Sequence, residues 1–335
     1  MRGAGQGIAR GLGCHAPRLR SNFGKQARVS APRTLVVGPE HAGARLDAYL
    51  ADSLGVSRSE ARRLLERGGV TLEGRVAALA AKGTPLALGQ TLEVQRFPSR
   101  EQELPIAQPE LALTVLARGP GWLAIDKPAG MPVHPLAPTE TGTALNFVAA
   151  LHPEIVGTGE AGLRSGVVHR LDVHTSGALL FATEEGRWQQ LREAFRAHRV
   201  EKLYRALVHG QLSGGGELVL QLAVAQHRPA RVRVVDASDP SFASRSRRTV
   251  MSWRALAQLQ GATLIEARPR TGFLHQIRAS LAHLGHPVLG DVAYGAPESP
   301  LAPRQLLHAA YVAYRDAEAA SPDPPDFAAA LAALA

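Results

Sequence analysis

The chain has 335 residues, 45% of them hydrophobic, and carries 38 Lys and Arg against 29 Asp and Glu, a net charge of +9. Its length predicts about two domains. The single cysteine, Cys14, excludes an intramolecular disulfide framework and a zinc finger, and it indicates a reducing compartment. No apolar stretch approaches the roughly 18 residues of a membrane-spanning helix, so no contact with a membrane is expected.

The positive charge is concentrated at the start of the chain. The first 39 residues contain seven Lys and Arg and no acid, which leaves a net charge of only +2 for the rest. We interpret residues 1–33 as a disordered basic tail, because they are rich in Gly and Arg and lack periodicity. An organellar transit peptide has a similar composition and is the alternative. We therefore expect a cytoplasmic protein, or an organellar one if the alternative holds.

Residues 34–97 have the pattern of a small α/β domain. Apolar residues at helical spacing predict a helix over Ala44–Leu54. Ser57 and Glu60 form a capping box that begins a second helix. The exposed positions of that second helix are basic: Arg58, Arg62, Arg63 and Arg67. Short strands are predicted at Val70–Leu72, Arg75–Ala77 and Gln90–Val94.

Several stretches of this segment resemble the S4 RNA-binding domain. They are Arg45-Leu46-Asp47, Ser57–Ala61, Val70–Arg75 and Leu88–Gln90. The resemblance implies that the second helix binds the backbone of structured RNA. Its arginines would then contact phosphates without reading the base sequence. Taken alone, so short a segment is also compatible with an ordinary solvated helix.

A linker at 98–110 precedes a larger domain at 111–315. Most of its periodic segments are β-rich, and only Glu184–Ala197 and His275–Leu284 have clear helical spacing. Because strands and helices do not alternate regularly, we predict an α+β fold with a mixed, largely antiparallel sheet. Residues 316–335 are expected to form a Pro/Ala-rich, partly disordered tail.

A turn crowded with polar side chains lies between two predicted strands, Gly166–Leu171 and Ala178–Thr183. Its polar residues include His169, Arg170, Asp172 and Thr175. Binding and catalytic groups concentrate on loops held by a rigid scaffold. An Asx-type turn, in which the aspartate bonds nearby amides, explains the same residues equally well. The local chemistry leaves both interpretations open.

The segment His169–Gly177 resembles the signature of the RluA-type pseudouridine synthases. Further blocks follow in the family's order: Asp126–Gly130 with Val133–Pro135, Lys202–Ala206, Thr271–Arg278 with Gly285–Asp291, and Leu307–Ala309. The resemblance implies the pseudouridine synthase fold and an enzyme that isomerises uridine in structured RNA. Phe273 stands where the family usually has Arg, which puts one contact in doubt unless Arg270 replaces it.

The chemistry of this isomerisation requires few residues. Uracil leaves C1′ as an anion whose charge spreads over two carbonyls, so one carboxylate, Asp172, is sufficient where glycosidases need two. Asp172 would attack C1′ or remove the 2′ proton, and the sequence does not separate these pathways. Arg278 is expected to pair with Asp172 and keep it ionised. Tyr204 is expected to stack on the uracil and accept the C5 proton.

The resemblance implies further roles around the reacting base. The target base must be flipped out of its stack; Arg170 would fill the vacated position, and Ile277 would pack beside the pocket. His169, Thr175 and Gln276 complete the predicted substrate-binding set. No cofactor or metal is expected, because the reaction involves neither redox change nor phosphate transfer. The expected partner is structured RNA, ribosomal RNA being favoured over transfer RNA, and the protein is expected to be a monomer.

Two other motifs fit less well. Gly157–Gly162 satisfies the pattern G-x-G-x-x-G, but a strand rather than a helix is predicted after it, so no helix N-terminus would hold a phosphate. His275, His283 and His286 lack a carboxylate or thiolate at metal-ligand spacing. A non-catalytic RNA-binding protein with the same fold is the rival function. The joint presence of the three expected catalytic residues disfavours it.

Overall fold

The computed structural model describes residues 32–95, 103–227, 229–236, 242 and 245–335. The chain divides into two compact units, one within residues 1–99 and the other within residues 100–335. Nearly all of the expected basic tail, with Cys14, lies outside the described residues. Among the described residues, no helix is long and apolar enough to cross a membrane.

The N-terminal unit consists of two α-helices and a four-stranded antiparallel sheet. Its elements are β1 (Arg33–Val36), α1 (Leu46–Leu54), α2 (Arg58–Glu66), β2 (Val70–Leu72), β3 (Arg75–Val76) and β4 (Thr91–Val94). The strands lie in the order β1-β4-β2-β3. Leu50 of α1 and Leu64 of α2 pack with Val70 and Leu92 of the sheet in one core.

Helix α2 begins where the capping box predicts. Ser57 Oγ accepts a hydrogen bond of 3.2 Å from the Glu60 N–H, and Glu60 Oε2 accepts one of 2.9 Å from the Ser57 N–H. These bonds satisfy amide groups that have no partner within the helix. The buried face consists of Ala61, Leu64 and Leu65, which leaves the arginines on the remaining faces.

The C-terminal unit is built on a ten-stranded sheet, counted over the described residues. Its strands are β5 (Val115–Gly119), β6 (Trp122–Lys127), β7 (Ser176–Ala182), β8 (Glu201–His209), β9 (Gly215–His227), β10 (Ala230–Val234), β11 (Ser246–Leu259), β12 (Ala262–Pro269), β13 (Leu307–Tyr314) and β14 (Ala317–Ala320). Its helices are α3 (Ala144–Leu151), α4 (Glu185–Arg196), α5 (Gln276–His283) and α6 (Pro325–Leu334).

The strands lie in the order β10-β9-β11-β12-β8-β13-β7-β6-β5, with β14 beside β13. Within the described chain, β13 and β7 run parallel and the other neighbours run antiparallel. This is the mixed, largely antiparallel sheet that the sequence predicts. The two predicted helices correspond to α4 and α5, whereas α3, α6, β11, β13 and β14 are additions.

The buried strand β7 begins directly after the polar turn that carries Asp172. All seven of its residues are buried. Gly177 has φ +116°, and a Cβ atom there would lie 2.2 Å from the carbonyl oxygen of Ala309 in β13. Only glycine permits this approach, because any side chain would collide with the neighbouring backbone.

The predicted strand Gly166–Leu171 is wrong. Within it, Val167 makes only an isolated bridge to Phe181. The N–H of Leu180 in β7 donates instead to the ring Nε2 of His169, at 2.9 Å. The His169 ring therefore takes the place of a backbone carbonyl as the acceptor for Leu180. The segment does not continue pairing with β7 through backbone hydrogen bonds.

The described part of the expected linker, residues 103–110, is bound to the C-terminal unit. Asn146 Nδ2 in α3 donates to the carbonyl of Ile106 at 2.7 Å, and the Gln108 N–H donates to the carbonyl of Asn146 at 3.0 Å. The Gln108 side chain also accepts from the Gly142 N–H. Gln108, one of the polar residues that suggested a linker, thus satisfies a backbone amide of the folded unit.

The expected tail, residues 316–335, is ordered, which corrects the prediction of partial disorder. Its first part forms β14, and its last part forms α6. Phe327 is fully buried against Leu207 and Leu306. The Pro and Ala content that suggested disorder instead favours a helix, because Pro is tolerated in the first turn and Ala has the highest helix propensity.

Candidate active site

A cavity of about 940 Å³ opens in the C-terminal unit. Its walls come from the turn before β7, from α4, from β8 and from the start of α5. The three residues expected to be catalytic line it, and so do the five expected to bind substrate: Asp172, Tyr204, Arg278, His169, Arg170, Thr175, Gln276 and Ile277. Residues far apart in the sequence therefore meet at one cavity.

Arg278 connects two carboxylates. Its Nη1 donates to Asp172 Oδ2 at 3.1 Å, while Nε and Nη2 donate to the two oxygens of Asp291 at 2.6 and 2.7 Å. Burial alone would lower the pKa of Arg278, but these acids outweigh it and the pKa is raised. The guanidinium is a fixed cation whose direction Asp291 sets. Asp291 lies in a block that the sequence singled out, but its role was not foreseen.

Tyr204 lies in β8, at the centre of the sheet. It pairs with Ala267 of β12 on one side and Ala309 of β13 on the other. Burial and the negative charge of Asp172 raise the pKa of Tyr204. The phenol is therefore protonated at neutral pH.

Lys127 holds the turn that carries Asp172, a role that sequence reasoning missed. Its ammonium donates to the carbonyls of Pro128, Met131 and Val173 at 2.8, 2.9 and 3.0 Å. Burial, aided by the charge of Arg304, lowers the pKa of Lys127 to about 7. The side chain is fully buried, so it acts from behind the turn.

Three of the expected substrate-binding residues use their polar atoms inside the protein. The ring of His169 accepts from Leu180 and stacks on Phe195, and burial lowers the pKa of His169 to about 3. Thr175 Oγ1 accepts from Gln305 Nε2 at 3.0 Å. Gln276 accepts from the Thr271 hydroxyl and donates to the Val250 carbonyl, at 2.9 and 3.2 Å. These polar atoms support the cavity wall instead of facing a substrate.

The other two residues expected to bind substrate are Arg170 and Ile277, and they differ from these three in their surroundings. Arg170 is exposed and makes no hydrogen bond or ion pair with a described residue. Ile277 is buried in the cluster that includes Ala206 and Met251. The Arg170 side chain is therefore open to solvent, and Ile277 is part of the cavity wall.

His275 is a second residue whose position beside Asp172 was not predicted, because it was considered only as a possible metal ligand. Its Nε2 lies 3.9 Å from Asp172 Oδ2, and its Nδ1 is 2.9 Å from the Tyr294 hydroxyl. His286 instead contacts the carbonyl of His209. Among the described residues, no group of three or more His, Cys, Asp or Glu is arranged to hold a metal ion.

Phe273 occupies the position where the family usually has Arg. It lines the cavity and packs against the cluster of Leu222 and Val232. Arg270 lies outside the cavity lining and faces Glu217 at 3.5 Å. Arg270 therefore does not replace the missing arginine within the cavity.

The four arginines of α2 belong to the N-terminal unit and differ in their surroundings. Arg58, Arg62 and Arg67 are exposed, whereas Arg63 is half-buried. Arg62 also donates at 2.8 Å to Asp47, which is fully buried. Arg58 is thus better placed than Arg62 to meet a phosphate.

Known proteins match both units. The profile of the RNA pseudouridylate synthase family matches residues 121–283, and that of the S4 domain matches residues 44–81. A protein of Chloroflexus aurantiacus, named as an RNA pseudouridine synthase, is 34% identical over 282 residues, which cover 84% of each chain. This chain belongs to the RNA pseudouridine synthase family. The predicted RluA-type resemblance, S4 domain and enzyme class are confirmed.

Two further comparisons bear on this pseudouridine synthase. The ribosomal large subunit pseudouridine synthase D of Xanthomonas campestris is 34% identical, over 79% of this chain and 76% of the relative. The structure of human RNA pseudouridylate synthase domain containing 1 matches with a TM-score of 0.52 and 21% identity, over 70% of this chain and 90% of that one. The latter match supports the predicted fold.

Proposed function

We propose that this pseudouridine synthase isomerises uridines in ribosomal RNA, and that Asp172 is its single catalytic carboxylate. The observation that carries the proposal is the state of Asp172 at the cavity. One oxygen is held by Arg278, and the other makes no hydrogen bond to a described residue. A carboxylate that is held by one cation, and is otherwise open to the cavity, suits attack on C1′ or removal of the 2′ proton.

Either pathway uses the same groups. In the first, a bond forms between Asp172 and C1′ as the C1′–N1 bond breaks; in the second, loss of the 2′ proton to Asp172 expels the uracil. The uracil then turns over and C5 bonds to C1′, as the bond between Asp172 and C1′ breaks in the first pathway or as Asp172 returns the proton to C2′ in the second. The C5 proton passes to water, and N1 takes up a proton from water, so the step is a net isomerisation. Arg278 is proposed to orient Asp172 and to balance its charge throughout.

Tyr204 is proposed as the surface on which the flipped uracil stacks. Its raised pKa means that the hydroxyl keeps its proton, and a protonated phenol is a poor acceptor for the C5 proton. This favours stacking over the base role that the sequence suggested. Tyr204→Phe is expected to keep the turnover rate within about tenfold of the parent. A larger loss, with RNA binding intact, would restore the base role.

Arg170 is proposed to enter the RNA stack that the flipped base vacates, because its side chain is exposed and unpaired among the described residues. Ile277 would line the base pocket. For His169, Thr175 and Gln276 we propose that any effect on substrate binding is indirect. Their hydrogen bonds to the protein support the turns that face the substrate.

Two findings favour ribosomal RNA as the substrate. Relatives from Xanthomonas campestris and Neisseria meningitidis are named ribosomal large subunit pseudouridine synthase D. The S4 domain adds a module associated with large, folded RNA. We further propose that the enzyme acts as a cytoplasmic monomer without cofactor or metal. Activity on a stem-loop that is stable without divalent ions should therefore survive dialysis against a strong chelator.

The deciding experiment maps pseudouridines in total RNA from a strain lacking this protein and from its parent. We expect at least one site in large-subunit ribosomal RNA to disappear, to return with the wild-type gene, and to stay absent with Asp172→Asn. If the lost sites were confined to transfer RNA, that substrate would replace ribosomal RNA. Restoration by the Asn variant would remove Asp172 from its assigned role.

A further inference from the structure

The turn that carries Asp172 is supported by a segment far along the chain. The four residues that follow Asp172 all make hydrogen bonds to groups outside the turn: Val173 to Lys127 and Gly130, His174 to Arg304, Thr175 to Gln305, and Ser176 to Arg304 and His308. Three of the partners lie in residues 304–308, at and just before β13. The position of the turn therefore depends on what fixes that segment.

Arg304 is the centre of this support. Its side chain is only 8% exposed. Nη1 donates to the His174 carbonyl at 3.0 Å, and Nη2 donates to Ser176 Oγ at 3.3 Å. The guanidinium is planar and its donors point in fixed directions, so whatever holds one edge of the group sets the aim of the other.

Asp326, in the first turn of α6, holds that other edge. Its two oxygens accept from Arg304 Nε and Nη2 at 2.6 and 3.0 Å. Asp326 also forms an ion pair with the buried Arg304 guanidinium and balances its positive charge. Burial alone would raise the pKa of Asp326, but Arg304 outweighs it and the pKa is lowered. The pair therefore stays charged at neutral pH.

A second connection runs in parallel. His308 Nε2 is 3.1 Å from the Ser321 carbonyl, which can only accept, so this nitrogen carries the proton. Burial lowers the pKa of His308, so the ring is neutral and its Nδ1 accepts from Ser176 Oγ at 3.0 Å. Ser176 is thus bound both by Arg304 and, through His308, by the segment that leads to α6.

We propose that Asp326 is a positioning residue for catalysis, which acts through Arg304 on the backbone of the turn that carries Asp172. The proposal rests on the proposed catalytic role of Asp172. Helix α6 is anchored separately by the fully buried Phe327, whereas the Asp326 side chain is 38% exposed. Loss of its charge therefore leaves α6 packed but leaves Arg304 as a buried cation without its partner. Such a cation draws in water or turns toward solvent, and its hydrogen bonds to the turn are broken.

The test compares Asp326→Asn with Asp316→Asn. Asp316 also lies in the C-terminal segment and also accepts two bonds from one arginine, Arg187, at 3.0 and 2.6 Å. The other hydrogen bond of Arg187 goes to the Pro120 carbonyl, away from the turn. Each variant therefore removes one carboxylate charge that pairs with a single arginine, and only the pair with Arg304 reaches the turn.

The measurement is single-turnover pseudouridine formation with enzyme in saturating excess over unmodified ribosomal RNA from the deletion strain. Under these conditions the rate constant reports the chemistry of the bound complex, and the amplitude reports the competent fraction. For Asp326→Asn we expect the rate constant to fall by about 10- to 100-fold, the cost of a small misplacement of a reacting group. RNA affinity should stay within about twofold of the parent, because no group that binds RNA is removed.

Two further variants separate positioning from stability. Asp326→Glu restores the charge and should recover most of the rate. In Arg304→Gln the connection is already broken, so adding Asp326→Asn should slow the reaction no further. Asp316→Asn should behave as the parent.

Three outcomes would overturn the proposal: an unchanged rate constant in Asp326→Asn, an equal loss in Asp316→Asn, or a reduced amplitude at full rate, which would mean a misfolded fraction. If the parent enzyme modified no ribosomal RNA, the proposed substrate would fail instead. The same comparison would then be made on transfer RNA from those cells.

Discussion

Asp47 in the N-terminal unit and Asp172 in the C-terminal unit both face arginines, but they differ in how completely the carboxylate is used. Asp47 is fully buried, and its oxygens accept hydrogen bonds from Arg45 and Arg62 at distances between 2.8 and 3.4 Å. Asp172 accepts one bond of 3.1 Å from Arg278, and its side chain is 22% exposed. The first carboxylate is enclosed, and the second is open to the cavity.

The difference separates a structural carboxylate from a reactive one. Burial alone would raise the pKa of Asp47, but the bonds from Arg45 and Arg62 outweigh it and lower the pKa. Both oxygens of Asp47 are occupied, so nothing is left for a substrate. In the second site, Asp291 takes two of the guanidinium nitrogens, and only one reaches Asp172. Asp291 therefore fixes the Arg278 guanidinium, while Asp172 stays accessible from the cavity.

The largest effect is expected where the open carboxylate is removed. Asp172→Asn keeps the shape of the side chain but provides neither a nucleophile nor a base. We expect its turnover rate to fall by at least about 10³-fold, as for the loss of an essential catalytic group. RNA affinity, measured by filter binding, should change little. Activity within about tenfold of the parent would contradict the assignment.

Replacing the arginine of the open site should have the next largest effect. Lysine keeps the charge of Arg278 but lacks the planar set of donors that serves Asp172 and Asp291 together. We expect Arg278→Lys to lower kcat by about 100-fold, because Asp172 is no longer oriented. Steady-state kinetics on the mapped RNA provide the measurement, and an unchanged kcat would show that charge alone is sufficient.

In the enclosed site the same kind of change should affect stability and leave chemistry alone. Asp47→Asn removes a buried charge whose arginine partners are about half exposed. We expect the free energy of unfolding of the N-terminal unit to fall by about 1–3 kcal/mol. The pKa of Asp47 is lowered on folding, so this stability is full above the unfolded pKa, near 4, and is lost as pH falls toward the folded value.

Denaturation followed from neutral to acidic pH checks this prediction. The parent and the Asn variant should differ at neutral pH and converge as Asp47 is protonated. The single-turnover rate constant on saturating RNA should stay that of the parent. A stability difference that did not shrink in acid would contradict the pKa argument.

The smallest effect concerns the surface of α2. Arg58→Gln with Arg67→Gln should reduce the slope of log affinity against log salt by about 0.7–0.9 for each phosphate that the variant no longer binds. Arg75→Gln, on the hairpin strand β3 of the same unit, is the matched control. Titrations at several salt concentrations provide the slopes. Equal slopes for the parent and the double variant would show that this face of α2 does not meet RNA.

The sequence predicted best those features whose cause is local. The capping box of α2 involves residues three apart, and the polar turn around Asp172 is continuous in the chain. Arg278 and Asp172 were paired because the expected chemistry requires a cation beside the carboxylate, and no local pattern joins them. Their contact depends on folding that brings residues 106 positions apart together. Nothing in the local pattern specifies such a distance.

The errors have the same origin. Asp291 meets Arg278 because the chain reverses at Gly290, where a Cβ atom would lie 2.0 Å from the Arg304 carbonyl oxygen. The segment 316–335 was judged by its Pro and Ala content. Its order depends on the burial of Phe327 in a cluster formed by β8 and the segment before β13. Composition carries no information about that partner.

The bonds from Asp326 and Ser321 to the rest of the unit also have a consequence for the order of events during synthesis. A ribosome makes these residues after strands β5 to β13, so the turn that carries Asp172 is synthesised long before the residues that hold its support in place. The turn that carries Asp172 therefore gains its final support only once α6 has left the ribosome. Ribosome-bound chains stalled before that point should form pseudouridine about 10- to 100-fold more slowly than the freed enzyme, the loss expected for Asp326→Asn.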